Sequence, residues 1–94
     1  MKPGSILVNT ARGALVEEGA LAEALDDGPL RAAALDVFEQ EPEVHPSLLT
    51  RRDVILAPHI GSATERTRGR MAEMAVEAVE DWAAGRSPMH LFEG

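Results

Sequence analysis

The sequence predicts an α/β fold built on an open parallel sheet, and three observations predict it. Short apolar runs at Ser5–Asn9, Arg31–Val37 and Asp53–Ala57 lack the polar alternation of a half-solvated strand. A segment of helical periodicity, Glu17–Asp26, separates the first two runs. Breakers frame the pieces: Pro3-Gly4 before the first run, Gly28-Pro29 before the second and Pro58 after the third. A strand, a helix of about three turns and a second strand make a βαβ unit, whose strands are parallel.

Each element has a local reason. Ser5-Ile6-Leu7-Val8-Asn9 is rich in β-branched residues and reads as a strand buried on both faces. In Glu17–Asp26 the residues Ala20, Leu21, Ala24 and Leu25 share a helical stripe, and Glu17 and Glu18 occupy the first turn, where the helix dipole favours acids. Arg31-Ala32-Ala33-Ala34-Leu35-Asp36-Val37 has the propensity of a helix but the context of a strand. The fifteen residues Phe38 to Arg52 form a long connection of functional character, with one helical turn around Pro46 to Leu49. A long helix is expected from Ser62, with Ser62 and Glu65 in capping-box spacing, and it ends at Gly85. Its stripe is Met71, Met74, Ala75, Ala78, Val79 and Trp82. Its arginines lie early and its acids late, against the dipole.

Composition excludes several functions. The chain has 94 residues, 10.1 kDa, and makes one small domain at most. A net charge of −7 with pI near 4.8 lacks the basic footprint that nucleic acid or anionic lipid requires. There is no cysteine, hence no disulfide, zinc-thiolate site or thiol nucleophile. The three histidines, His45, His59 and His90, are not grouped as metal ligands, so no metal is expected. No run approaches the ~18 apolar residues of a membrane span and the start lacks a signal-peptide pattern, so a cytoplasmic protein without membrane contact is expected. Aromatics are only Phe38, Trp82 and Phe92, which leaves burial to aliphatic residues and alanine.

Three parallel strands of this character need cover on both faces, and one crossover helix and one terminal helix do not supply it. The sheet is expected to be completed by another chain, as in a homo-oligomer, or to be the last part of a longer sheet.

Ligands of open parallel sheets bind beyond the carboxyl ends of the strands. Three reactive side chains fall there: Arg12 after the first strand, Glu41 after the second and His59 after the third. Taken singly, Arg12 is also compatible with a solvated turn, Glu41 with an acidic surface loop and His59 with a hydrogen-bonded structural histidine. Their common rim favours function. Asp36 closes an apolar strand, where an unpaired carboxylate is costly, so it must meet a donor.

Three ordered segments then carry a resemblance: Lys2 to Gly13 (KPGSILVNTARG), Ala34 to Pro42 (ALDVFEQEP) and Pro58 to Thr64 (PHIGSAT). Together they resemble the D-isomer-specific 2-hydroxyacid dehydrogenases over nearly the whole chain. The resemblance implies the C-terminal part of a Rossmann-type parallel sheet, three strands and one crossover helix, followed by a long helix. It divides the chain into 1–61, the C-terminal part of an NAD(P)-binding domain, and 62–94, a helix and tail returning to the substrate domain. It further implies hydride transfer between NAD or NADP and a small 2-oxo or (D)-2-hydroxy acid. By matching position, Arg12 resembles the substrate-binding arginine, Glu41 the carboxylate partner of the catalytic base and His59 the acid/base. Thr10, Ala11, Arg12, Asp36, His59, Gly61 and Ser62 resemble the groups around the nicotinamide, whose carboxamide would be the donor for Asp36.

A guanidinium suits a substrate carboxylate, and a neighbouring carboxylate favours and orients an imidazolium. The sequence departs from the family pattern by lacking G-x-G-x-x-G, and at Ala57 and Asp53. The expectation is therefore a fragment bearing the catalytic residues, which alone binds NAD weakly or not at all; the alternative is a non-catalytic interaction module or inactive truncated product on the same scaffold.

Overall fold

The protein is described by a computed structural model covering residues 1–89 and 91. His90 and Phe92 lie outside the described residues. In chain order the elements are β1 (Ser5–Asn9), a single 3-10 turn (Gly13–Leu15), α1 (Glu18–Asp26), β2 (Leu30–Leu35), α2 (Pro46–Leu49), β3 (Val54–Leu56) and α3 (Glu65–Ala83). They fall into two compact units, Met1–Gly61 and Ser62–Gly94.

The first unit is a three-stranded sheet in the order β1-β2-β3, parallel throughout. Its register aligns Leu7 with Ala33 and Val54, and Asn9 with Leu35 and Leu56. Successive side chains along a strand point to opposite faces. Leu7, Ala33, Leu35, Val54 and Leu56 accordingly pack with Leu21, Ala22 and Leu25 of α1 in one core. Leu48 of α2 seals it and is fully buried. The other face carries Ile6, Val8 and Ile55, all at least half exposed. This corrects the expectation that β1 is buried on both faces: within these residues α1 covers one side, and the second side has no layer.

Strand ends also differ from the sequence reading. β2 stops at Leu35, not Val37, because Asp36 turns its carboxylate toward the segment after β3. β3 is shorter than Asp53–Ala57, although Asp53 O and Ala57 N still bond to Ala33 and Leu35 of β2. Pro58 has no N–H to extend the ladder. Asp53 is held by Arg51, whose guanidinium bonds both its oxygens at 2.9 and 2.8 Å and also Asp26 at 2.6 Å. One arginine thus ties the end of α1 to the start of β3.

In the second unit the helix starts later than expected. Thr64, not Ser62, is the N-cap, its hydroxyl accepting from Thr67 N at 3.1 Å. The helix ends in a Schellman arrangement, with Gly85 at φ +70, Gly85 N bonded to Trp82 O and Arg86 N to Asp81 O. Arg70 pairs with Glu73 and Glu77 at 3.3 Å each, a local partner for one early arginine. Among the described residues no helix is long and apolar enough to cross a membrane, and no cluster of acids and histidines could hold a metal.

Candidate active site at the carboxyl rim

Because the strands are parallel, the segments after Asn9, Leu35 and Leu56 leave the same edge of the sheet. After β1, Asn9 is buried and folds the chain back on itself: its Oδ1 accepts from Ala11 N at 3.2 Å and its Nδ2 donates to Arg12 O at 2.9 Å. This Asx turn sets the conformation of Thr10-Ala11-Arg12. Gly13 follows against the second segment, where any side chain would meet the Phe38 carbonyl.

After β2, Asp36 is buried, and its two oxygens accept from Ile60 N and Gly61 N, each at 2.8 Å. The Ile60 bond is the main force holding its carboxyl below the ordinary aspartate value, against the opposing effect of burial. The donor that Asp36 needed is therefore backbone of this chain. Gly61 is packed against the same carboxylate, since a Cβ there would lie 2.9 Å from Oδ2.

The grip of Asp36 falls immediately after His59, which is at φ +55. That left-handed conformation is uncommon outside glycine and needs support from its surroundings. Two hydrogen bonds on the next two residues provide it. His59 Nδ1 donates to Glu41 Oε2 at 2.8 Å. Glu41 Oε1 accepts from Phe38 N at 3.1 Å. The bond to His59 is the largest cause of the lowered Glu41 pKa, with the Phe38 N–H second. An ionised Glu41 can only accept, so the ring proton sits on Nδ1 and Nε2 is left to exchange a proton with a ligand.

The structure thus joins Glu41 to His59 and Asp36 to Gly61. Arg12 shares the rim by topology, but its guanidinium is exposed and donates to Ala11 O at 2.6 Å. Among the described residues it makes no ion pair. Thr10 and Ala11 are exposed at the same rim, and Ser62 belongs to the second unit. Asn9 escaped the sequence reading. Its signal was there, an amide at the end of an apolar strand three residues before an arginine.

The carboxylate, the imidazole and the guanidinium thus stand on the carboxyl rim of a parallel sheet, where open α/β sheets of the nucleotide-binding class take their ligands. The family described as D-isomer specific 2-hydroxyacid dehydrogenase, NAD binding domain, matches residues 1–61, and the chain belongs to that family. The chain is 54% identical over 93 residues to a glyoxylate reductase of Aeropyrum pernix and 47% identical over 91 residues to one of Thermococcus litoralis. Each match covers 97% of this chain and 28% of the relative. Among solved structures, the apo D-mandelate dehydrogenase of Rhodotorula graminis superposes with a TM-score of 0.83 at 37% identity, over 95% of this chain and 26% of that one. The NADPH-dependent glyoxylate/hydroxypyruvate reductase of Sinorhizobium meliloti, solved with NADP and malonate, gives 0.79 at 42% identity, over 86% and 25%. The fold is thus the C-terminal part of a Rossmann-type sheet.

Proposed function

We propose that this chain carries the acid/base end of an NAD(P)-dependent oxidoreductase acting on a small 2-oxo or (D)-2-hydroxy acid. The carrying observation is the 2.8 Å bond between His59 Nδ1 and Glu41 Oε2 at the carboxyl rim. The names of the Aeropyrum and Sinorhizobium relatives favour glyoxylate as the first substrate to test.

The residues present suit the nicotinamide end of such a cofactor. Each Asp36 oxygen keeps a lone pair beyond its backbone bond, and the lack of a side chain at Gly61 lets the backbone approach that carboxylate closely. Thr10, Ala11, Arg12, His59 and Ser62 complete the proposed cofactor contacts. No G-x-G-x-x-G is present to cradle a pyrophosphate. When bound, the cofactor would supply or accept the hydride. His59 Nε2 gives a proton to the carbonyl oxygen as it becomes an alkoxide, and takes one from the hydroxyl in the reverse direction. Glu41 orients the ring and balances the imidazolium charge. Arg12, which makes no ion pair among the described residues, takes the substrate carboxylate.

In this reading residues 62–94 return to the substrate domain. The exposed Ile6, Val8 and Ile55 support a sheet completed by further protein, in a homo-oligomer or with another chain.

The test is His59→Gln in the full-length protein, assayed for NAD(P)H-dependent reduction of glyoxylate. Loss of a positioned acid/base should lower kcat by about 10²–10⁴-fold. Undiminished turnover in that variant removes His59 from the reaction.

A further inference from the structure

The segment bearing Glu41 runs from Glu39 to His45 and has only one backbone bridge of its own, between Gln40 and Glu43. Such a loop should wander, yet Glu41 reaches a histidine 18 residues away with both oxygens engaged. Besides the packing of Val44 on the core, a side chain from another element restrains it. Glu18, the first residue of α1, is only 3% exposed. Its Oε1 accepts from Glu39 N at 2.8 Å and its Oε2 from His45 N at 2.6 Å. These two amides lie on either side of Glu41, so a single carboxylate holds both ends of the loop.

The contact is returned. Glu18 N donates to Glu39 Oε2 at 2.7 Å, so the start of α1 and the loop exchange hydrogen bonds. Helix stability alone does not explain the arrangement. An exposed acid in the first turn would satisfy the dipole, whereas a buried carboxylate needs hydrogen bonds in place of water, and both of those Glu18 receives come from the loop. Among the described residues Glu18 has no cationic partner.

We propose that Glu18, clasped to Glu39, is a positioning residue that fixes the 39–45 loop so that Glu41 meets His59. The inference rests on the reading of Glu41 and His59 as the acid/base pair. It predicts coupling between Glu18 and Glu41 in turnover and none in cofactor binding.

The experiment compares wild type, Glu18→Gln, Glu41→Gln and the double variant in the full-length protein, with glyoxylate and NAD(P)H. Glutamine keeps one acceptor and turns an NH2 toward the other amide, donor against donor. A loop shift on the scale of 1 Å at a catalytic group costs about 10²-fold, so kcat in Glu18→Gln should fall about 10- to 100-fold, with KM for cofactor within about twofold. In the Glu41→Gln background the same change should cost less than about twofold, because the route it acts through is already cut. Equal losses in both backgrounds would show a merely structural role and overturn the proposal, as would full kcat in folded Glu18→Gln.

Should Glu18→Gln not fold, Glu39→Ala replaces it, removing the return acceptor from an exposed side chain. A kcat loss confined to the Glu41 background supports the clasp; no loss, or an additive one, overturns it. If His59→Gln turns over normally, the acid/base reading fails. If His59→Gln is inactive while Glu18→Gln is normal, only the clasp fails.

Discussion

Gly13 offers the sharpest test of how closely the first and second rim segments are fitted. An alanine Cβ there would stand 1.7 Å from the Phe38 carbonyl oxygen, 2.1 Å from its carbon and 2.7 Å from Glu39 N. All three are backbone atoms, so no rotamer change relieves the clash. Comfortable contact needs roughly 3.5 Å, so the two segments must part by close to 2 Å. Overpacking a buried position costs about 1–3 kcal/mol, and a backbone-on-backbone clash belongs at the upper end, about 3 kcal/mol. The displacement also reaches the dyad, because Phe38 N bonds Glu41 Oε1 at 3.1 Å. Gly13→Ala should therefore lower stability by about 3 kcal/mol in urea unfolding of the full-length protein. It should also lower kcat by about 10²-fold. A stability loss under about 1 kcal/mol together with kcat within twofold would refute the close fit argued from these distances.

Two further outcomes are expected. Leu48→Ala removes the fully buried side chain of α2 and should cost about 2–5 kcal/mol by urea unfolding, with an effect under 1 kcal/mol arguing against its place in the core. Asp36 and Glu41 have lowered pKa values, so the stability each contributes is present above the ordinary carboxylate range near 4 and lost as pH falls through its lower folded value. Carboxyl NMR titrations should place both midpoints below the ordinary values, leaving the dyad intact at mildly acid pH; a midpoint at or above them would contradict the hydrogen bonds described.

Much of this was legible from residue order. β1 begins and ends where its β-branched run does, because Gly4 at φ +79 turns the chain in and Asn9 turns it out. The alanine run of β2 was readable only through its neighbours, since its own propensity is helical. That Glu41 and His59 share an edge followed from one rule, that parallel strands deliver their exits to one side; that the two pair was implied by the family resemblance. Features defined by contacts between distant segments were not legible. Glu18 looked like an ordinary first-turn acid because its partners lie 21 and 27 residues on. The close fit of Gly13 gave no sequence signal of its own because the obstruction is Phe38, 25 residues on. At α3 both Ser62 and Thr64 are good caps, and backbone geometry decides between them.

Within Met1–Gly61, and among the described residues, the sheet has two unpaired borders, β1 and β3, and one aliphatic side without a covering layer. Unsatisfied strand borders recruit other strands, and the oily side lowers the cost of that recruitment. Opposing both is mutual repulsion from a net charge of −7, which reaches only about 8 Å at physiological ionic strength. A purified sample of these residues would thus stay dispersed in dilute, salt-poor buffer and clump as salt is added, the reverse of the usual practice of adding salt to keep a preparation clear.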